Sequence, residues 1–270
     1  MRVLDTDPLN ESLSKFESIR SDRVQLLSDD KRTIPAGNYD RMFEYIISSP
    51  GDVIIDSGSS ANVQLDAYLG TERADEVLYA ADCNLILHVP IVGGENRADT
   101  LSRLEHMLES IPNCCFVVWI NNYFGKVFNE SEERLSEDDV VLNSFEDTTV
   151  YKNYTDKIMG IIELPQFPQD TKGKTLSFIL NNLLTFNDFD GIELNKVFNT
   201  RDGELQINMM QRLRRKFIYE DLWGAMSPVL DSLEELKENP LPFIERESST
   251  SKSKEKKKKN SQKDTADAQA

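Results

Sequence analysis

In an open parallel α/β sheet, ligands bind beyond the carboxyl ends of the strands, so the residues that follow the apolar runs of this sequence are where chemistry is expected. Those residues are Asp5-Thr-Asp-Pro8, Asp56-Ser-Gly58, Pro90 and Asn121-Asn122. Asp5, Asp7 and Asp56 are carboxylates at the exits of apolar segments. A carboxylate there can hold a hydrated Mg²⁺, an ion that keeps several of its waters and takes one or two protein carboxylates beside substrate phosphates, or it can orient a water. The same residue type also caps the helix that follows a strand, and the two readings stay open on the residues alone.

The elements that must position these groups are legible as runs. Asp52-Val-Ile-Ile55, Leu85-Ile-Leu-His-Val89, Cys115-Phe-Val-Val-Trp-Ile120 and Ile158-Met-Gly-Ile-Ile162 are apolar nearly throughout rather than alternating, as expected of parallel strands covered on both faces. Met1-Arg-Val-Leu4 reads as a short opening strand. Helical spacing fills the intervals: Tyr39 to Ile47 ahead of Pro50-Gly51, then Leu101, Leu104, Met107 and Leu108. After Pro165 the pattern turns helical, with Leu176, Ile179, Leu180, Leu183 and Leu184 on one face and a longer helix from Glu204 to Leu230 broken near Gly224. Alternating strands and helices predict a doubly wound, mostly parallel α/β sheet with helices on both faces and a helical C-terminal part. Residues 126–157 read as a polar insertion with one or two short helices. Residues 1–246 are taken as one domain, and 247–270, rich in Ser, Lys, Glu and Gln, as a disordered Lys-rich tail.

Composition narrows the function classes. The net charge is −16, and residues 246–270 hold eight Lys or Arg against four acids, which leaves −20 on residues 1–245. So acidic a body repels a phosphate backbone, and direct nucleic-acid binding is not expected except weakly through the Lys256–Lys259 run. The longest apolar run, Cys114 to Ile120, is far short of the roughly 20 residues that cross a bilayer, and a cytoplasmic protein is expected. Cys83, Cys114, Cys115, His88 and His106 match no disulfide framework or zinc spacing and are assigned to packing.

Asp5-Thr-Asp-Pro-Leu-Asn10, Val53-Ile-Ile-Asp-Ser-Gly58 and Val117-Val-Trp-Ile-Asn121 resemble, in order, the switch I, Walker B/switch II and base-side motifs of the ParA/MinD group of P-loop NTPases (SIMIBI class). Within that group the resemblance is to the TraL-type conjugal transfer proteins of plasmids. Leu164-Pro-Gln-Phe-Pro168, Leu184-Thr-Phe186 and Gln211-Arg-Leu-Arg214 extend it to roughly residues 1–230. The resemblance implies an ATPase that binds Mg-ATP, dimerises around it and signals to conjugation or plasmid-maintenance proteins. It also implies catalytic roles for Asp5 and Asp7 beside the γ-phosphate, nucleotide-side roles for Asp56, Gly58 and Asn121, and Mg²⁺ held through water by Asp5 and Asp56.

The sequence departs from that family at one defining place. The family carries a Gly-Lys-Gly-Gly-x-Gly-Lys-[Ser/Thr] loop one βα unit ahead of the Asp-x-Asp, and these 270 residues contain none. Gly173-Lys-Thr175 has the end of such a motif, but Pro168 stands where its first glycine is needed. The expectation is therefore a sheet whose first strand and phosphate loop are missing, with two strands left unpaired beside the gap, no measurable ATPase activity of its own and little affinity for nucleotide. A missed upstream start, a truncated gene and a decayed relative kept for binding are the three explanations, and a non-enzymatic docking protein is the alternative function. Phe116, Trp119, Tyr123 and Phe124 could stack a base or simply pack. Arg212, Arg214, Arg215 and Lys216 could meet an acidic partner or form a solvated helix face.

Overall fold

The computed structural model describes residues 1–28, 33–58, 62–128, 144–200, 203–240 and 242–246. The Lys-rich tail and the centre of the polar insertion, 129–143, lie outside them.

Three short parallel strands, β1 (Arg2–Asp5), β2 (Asp22–Arg23) and β3 (Val53–Asp56), form one sheet in the order β2-β1-β3. A second parallel sheet, in the order β4-β5-β6, is built from β4 (Ile86–Val92), β5 (Cys115–Asn121) and β6 (Ile158–Glu163). Helix α1 (Ala36–Ser48) leads into β3, helices α2 (Asn62–Thr71) and α3 (Ala74–Ala80) lie between β3 and β4, and α4 (Arg97–Ser110) joins β4 to β5. Tyr39 of α1, Leu69 of α2, Leu78 of α3 and Leu104 of α4 share one buried core with Leu4 of β1 and Val89 of β4. All four helices therefore cover the same face of both sheets. β3 is laid down on the side of β1 away from β2, which gives the order β2-β1-β3, whereas β4, β5 and β6 follow one another in chain order.

Short α5 (Thr149–Asn153), just before β6, puts Val150 into this core beside Phe145, so the end of the sequence-read polar insertion is partly core. The opposite face of the second sheet is covered by α8 (Met209–Glu238), whose Val229 packs on Val117 and Ile162. Gly160 permits that approach, since a Cβ there would stand 2.5 Å from Val229 Cγ2.

A smaller core holds α6 (Lys172–Asn181), α7 (Phe186–Gly191) and an antiparallel hairpin, β7 (Val197–Thr200) with β8 (Gly203–Gln206), around Phe178, Ile179, Phe189 and Leu205. The expected break near Gly224 is corrected by the structure: α8 runs unbroken past Gly224 and even past Pro228. Burial of Ile218, Val229 and Leu236 along its length outweighs the lost hydrogen bond and the flexible glycine. Pro90, read as a residue following a strand, lies inside β4, which continues to Val92. The apolar runs also differ in cover, because β5 is buried on both faces whereas Ile54 of β3 is 51% exposed. Among the described residues no helix is long and apolar enough to cross a membrane.

Candidate functional site

Asp5 and Asp56 are register partners at the carboxyl ends of β1 and β3. Parallel pairing with no stagger is what brings two aspartates 51 residues apart in the sequence onto one sheet edge. Thr6 ties the two strand ends together, its N–H and its hydroxyl both donating to the Asp56 carbonyl at 2.9 and 3.0 Å.

The loop after β1 is folded around its own carboxylates. Asp5, 1% exposed, accepts the Asp7 N–H on Oδ1 at 3.0 Å and the Ser14 N–H on Oδ2 at 2.8 Å. Asp7 Oδ1 accepts the N–H groups of Leu9 at 2.9 Å and Asn10 at 3.1 Å. Both are thus helix-cap-like acceptors of backbone N–H groups, the structural alternative that the sequence left open. Burial alone would push the Asp7 carboxyl up. The Leu9 and Asn10 N–H groups, the Asn10 side chain and the Lys15 charge outweigh it, and its pKa is lowered.

Asp56 is in the opposite condition. Its side chain is half-buried and accepts no hydrogen bond among the described residues. Burial raises its pKa, and the negative charges of Asp5 and Asp7 raise it further. In its ionised form Asp56 is held against its own electrostatics, which is common where a group serves a ligand rather than the fold. Gly58, next along the same exit, is buried against Asp7: a Cβ there would lie 2.4 Å from the Asp7 Cγ and Oδ1.

Four of the sequence-read residues, Asp5, Asp7, Asp56 and Gly58, are therefore brought together. Asn121 ends β5 in the other sheet, and its Oδ1 accepts the Tyr123 N–H at 3.0 Å, capping the 3-10 turn Asn122–Phe124. The aromatic group divides: Phe116 is fully buried and Trp119 donates to His88 Nδ1 at 2.9 Å, while Tyr123 is 75% exposed. Arg212 and Arg215 pair with Asp190, and Lys216 with Glu220, so most of the basic stretch of α8 is matched within the chain.

Of what a Mg-ATP site needs, these residues offer carboxylates of the type that meets a hydrated Mg²⁺. Three carboxylates crowd one strand end, and the least hydrogen-bonded of them is free to accept from a hydrated Mg²⁺. Among the described residues the triphosphate has no comparable receptor. Gly173-Lys174-Thr175 is built into packing, with the Gly173 N–H donating to the Pro168 carbonyl at 2.8 Å and the fully buried Thr175 donating its hydroxyl to Gln211. Among the described residues no group of three or more His, Cys, Asp or Glu side chains is arranged to hold a metal ion, these three carboxylates included.

Two proteins named Protein TraL, both from Escherichia coli, are similar to this chain. One is 29% identical over 186 residues, covering 68% of the chain and 72% of the relative. The other is 28% identical over 225 residues, covering 82% and 84%. The chain is TraL-like over most of its length. No family model and no solved structure matches it.

Proposed function

We propose that this TraL-like chain acts in plasmid conjugative transfer or maintenance as a switch protein of the ParA/MinD kind, and that its 270 residues supply the metal side of the switch site without ATPase activity of their own. The observation that supports this most is the pairing of Asp5 with Asp56 at one strand end, with Asp7 packed on Gly58 beside them. Asp56 is the group that takes the cation's water shell. Asp5 holds the loop from Asp7 to Ser14 in place, and Asp7 turns the chain at Leu9 and Asn10. A bound Mg²⁺ would supply positive charge to offset the three carboxylates. Conjugation or plasmid-maintenance proteins are the partners, and a homodimer is part of the same reading.

The alternative is a docking protein with no cation chemistry, favoured by the backbone N–H groups that already occupy Asp5 and Asp7. A mating assay separates the two. In donors whose plasmid lacks this gene, the wild-type chain restores transfer, and Asp56→Ala is expected to restore it about tenfold less well or worse at equal protein level, the usual effect of losing a group that orients a metal's shell. Full transfer by Asp56→Ala would favour the docking protein.

A further inference from the structure

Helix α8 leaves one of its faces open to solvent over residues 209–227. Inward, Gln211 and Ile218 are buried, and Gln211 accepts the Thr175 hydroxyl of α6. On the α7 flank Arg212 and Arg215 pair with Asp190, and on the α6 flank Asp221 pairs with Lys172. Between those flanks run Met209, Leu213, Lys216, Glu220, Trp223 and Ser227. Their spacing alternates steps of four and three, the pattern by which one helix meets another along a single seam. Met209 is 69% exposed, Leu213 40% and Trp223 51%, and the Lys216 and Glu220 side chains are exposed beside them. Met and Trp are residue types that the centres of protein interfaces favour.

We infer that this stripe is the interface of a homodimer, in which α8 of two copies packs antiparallel about a two-fold axis at the level of residue 218. Turned end for end, the stripe complements itself at every position, as an interface made twice by one surface requires. Met209 meets Ser227 of the partner subunit, a long side chain against a short one. Leu213 meets Trp223 of the partner subunit. At the centre Lys216 meets Glu220 of the partner subunit, once on each side of the axis. A parallel arrangement would set lysine against lysine and glutamate against glutamate, so charge selects the antiparallel one, and the charged centre also fixes the register. Within the chain Lys216 pairs with Glu220 at 3.6 Å, an exposed contact too weak to withhold either side chain from the partner. One helix pair is a small interface, so the dimer is weak, with a dissociation constant on the order of 10 µM. The interface uses no residue of the strand-end site, and it stands whether or not Asp56 serves a cation.

Sedimentation equilibrium of the full chain, with neither nucleotide nor metal added, tests it. The wild-type chain should move from 30.8 kDa toward twice that mass as its concentration rises through about 10 µM. Lys216→Glu and Glu220→Lys, each alone, bring like charges face to face and should each weaken association about tenfold or more. An equimolar mixture of the two variants sets two carboxylates against two ammonium groups and should associate at least as well as wild type, which a misfolded variant could not do. A wild-type chain that stays at 30.8 kDa up to about 200 µM would overturn the proposal. So would a dimer that both single variants leave intact, or a mixture no more associated than its parts.

Discussion

Replacing Arg246 with Met is expected to destabilise the protein by about 3–5 kcal/mol, because it strips the counter-charge from a carboxylate with no access to water. Asp75, at the start of α3, is 0% exposed. Its Oδ2 accepts the backbone N–H and the side-chain amide of Asn113, both at 3.2 Å, and its Oδ1 pairs with the Arg246 guanidinium. Arg246 also donates to the Leu69 and Gly70 carbonyls at the end of α2 and pairs with Glu76. Next to it, the Ile244 N–H donates to Asn113 Oδ1 at 2.8 Å and the Phe243 ring lies 5.1 Å from that of Tyr79. The segment after α8 is thus fastened across α2, α3 and the turn before β5. Met preserves most of the apolar stem, so the loss isolates the charge. Urea unfolding of Arg246→Met, Asp75→Asn and the double variant should show the double variant losing far less than the two singles together. A single-variant loss below about 1 kcal/mol would mean that the pair is a surface contact in solution.

Gly58→Ala should cost about 2–3 kcal/mol, a size typical of overpacking a filled site. The atoms a new Cβ would strike belong to the far end of Asp7, which could ordinarily swing away. Here that carboxylate is fastened by the Leu9 and Asn10 N–H groups, and moving it releases the whole exit of β1. The loss should be visible as a lower urea midpoint with an unchanged slope, and Gly58→Ala combined with Asp7→Gly should recover part of it. A single variant as stable as wild type would show that the Asp7 loop yields freely.

Strands β1, β3, β4, β5 and β6 were legible because they are apolar runs of the right length, whereas β2 is two charged residues with no such signal, and the convergence of Asp5 with Asp56 followed from parallel strands ending in aspartates. What the carboxylates do with their lone pairs was not legible. Asp5 finds its donors two and nine residues later, at Asp7 and Ser14, through a loop whose turns have no periodicity to read. Asn121 was read correctly as a strand end, but its side chain serves the turn that follows. The Arg246–Asp75 pair spans 171 residues, and nothing in the local pattern of either end announces it. The hairpin β7–β8 was missed because its strands are four residues each and half polar. The continuity of α8 was missed because Gly224 and Pro228 are local breakers overruled by packing at a distance.

The proposal that Asp56 serves a cation can be tested without nucleotide, by titrating the chain with Mn²⁺ as a stand-in for Mg²⁺ and following electron paramagnetic resonance of the free ion together with NMR broadening around the strand ends. One saturable site is expected, with broadening centred on Asp56, Gly58 and Asp7, and with binding at least about tenfold weaker in Asp56→Asn. Because burial and the neighbouring carboxylates raise the Asp56 pKa, and only the ionised form binds, affinity should fall as the pH drops into the range just above that of an ordinary aspartate. Mn²⁺ binding that is equal in wild type and Asp56→Asn, or broadening centred away from β1 and β3, would contradict the assignment of this strand end as a metal site.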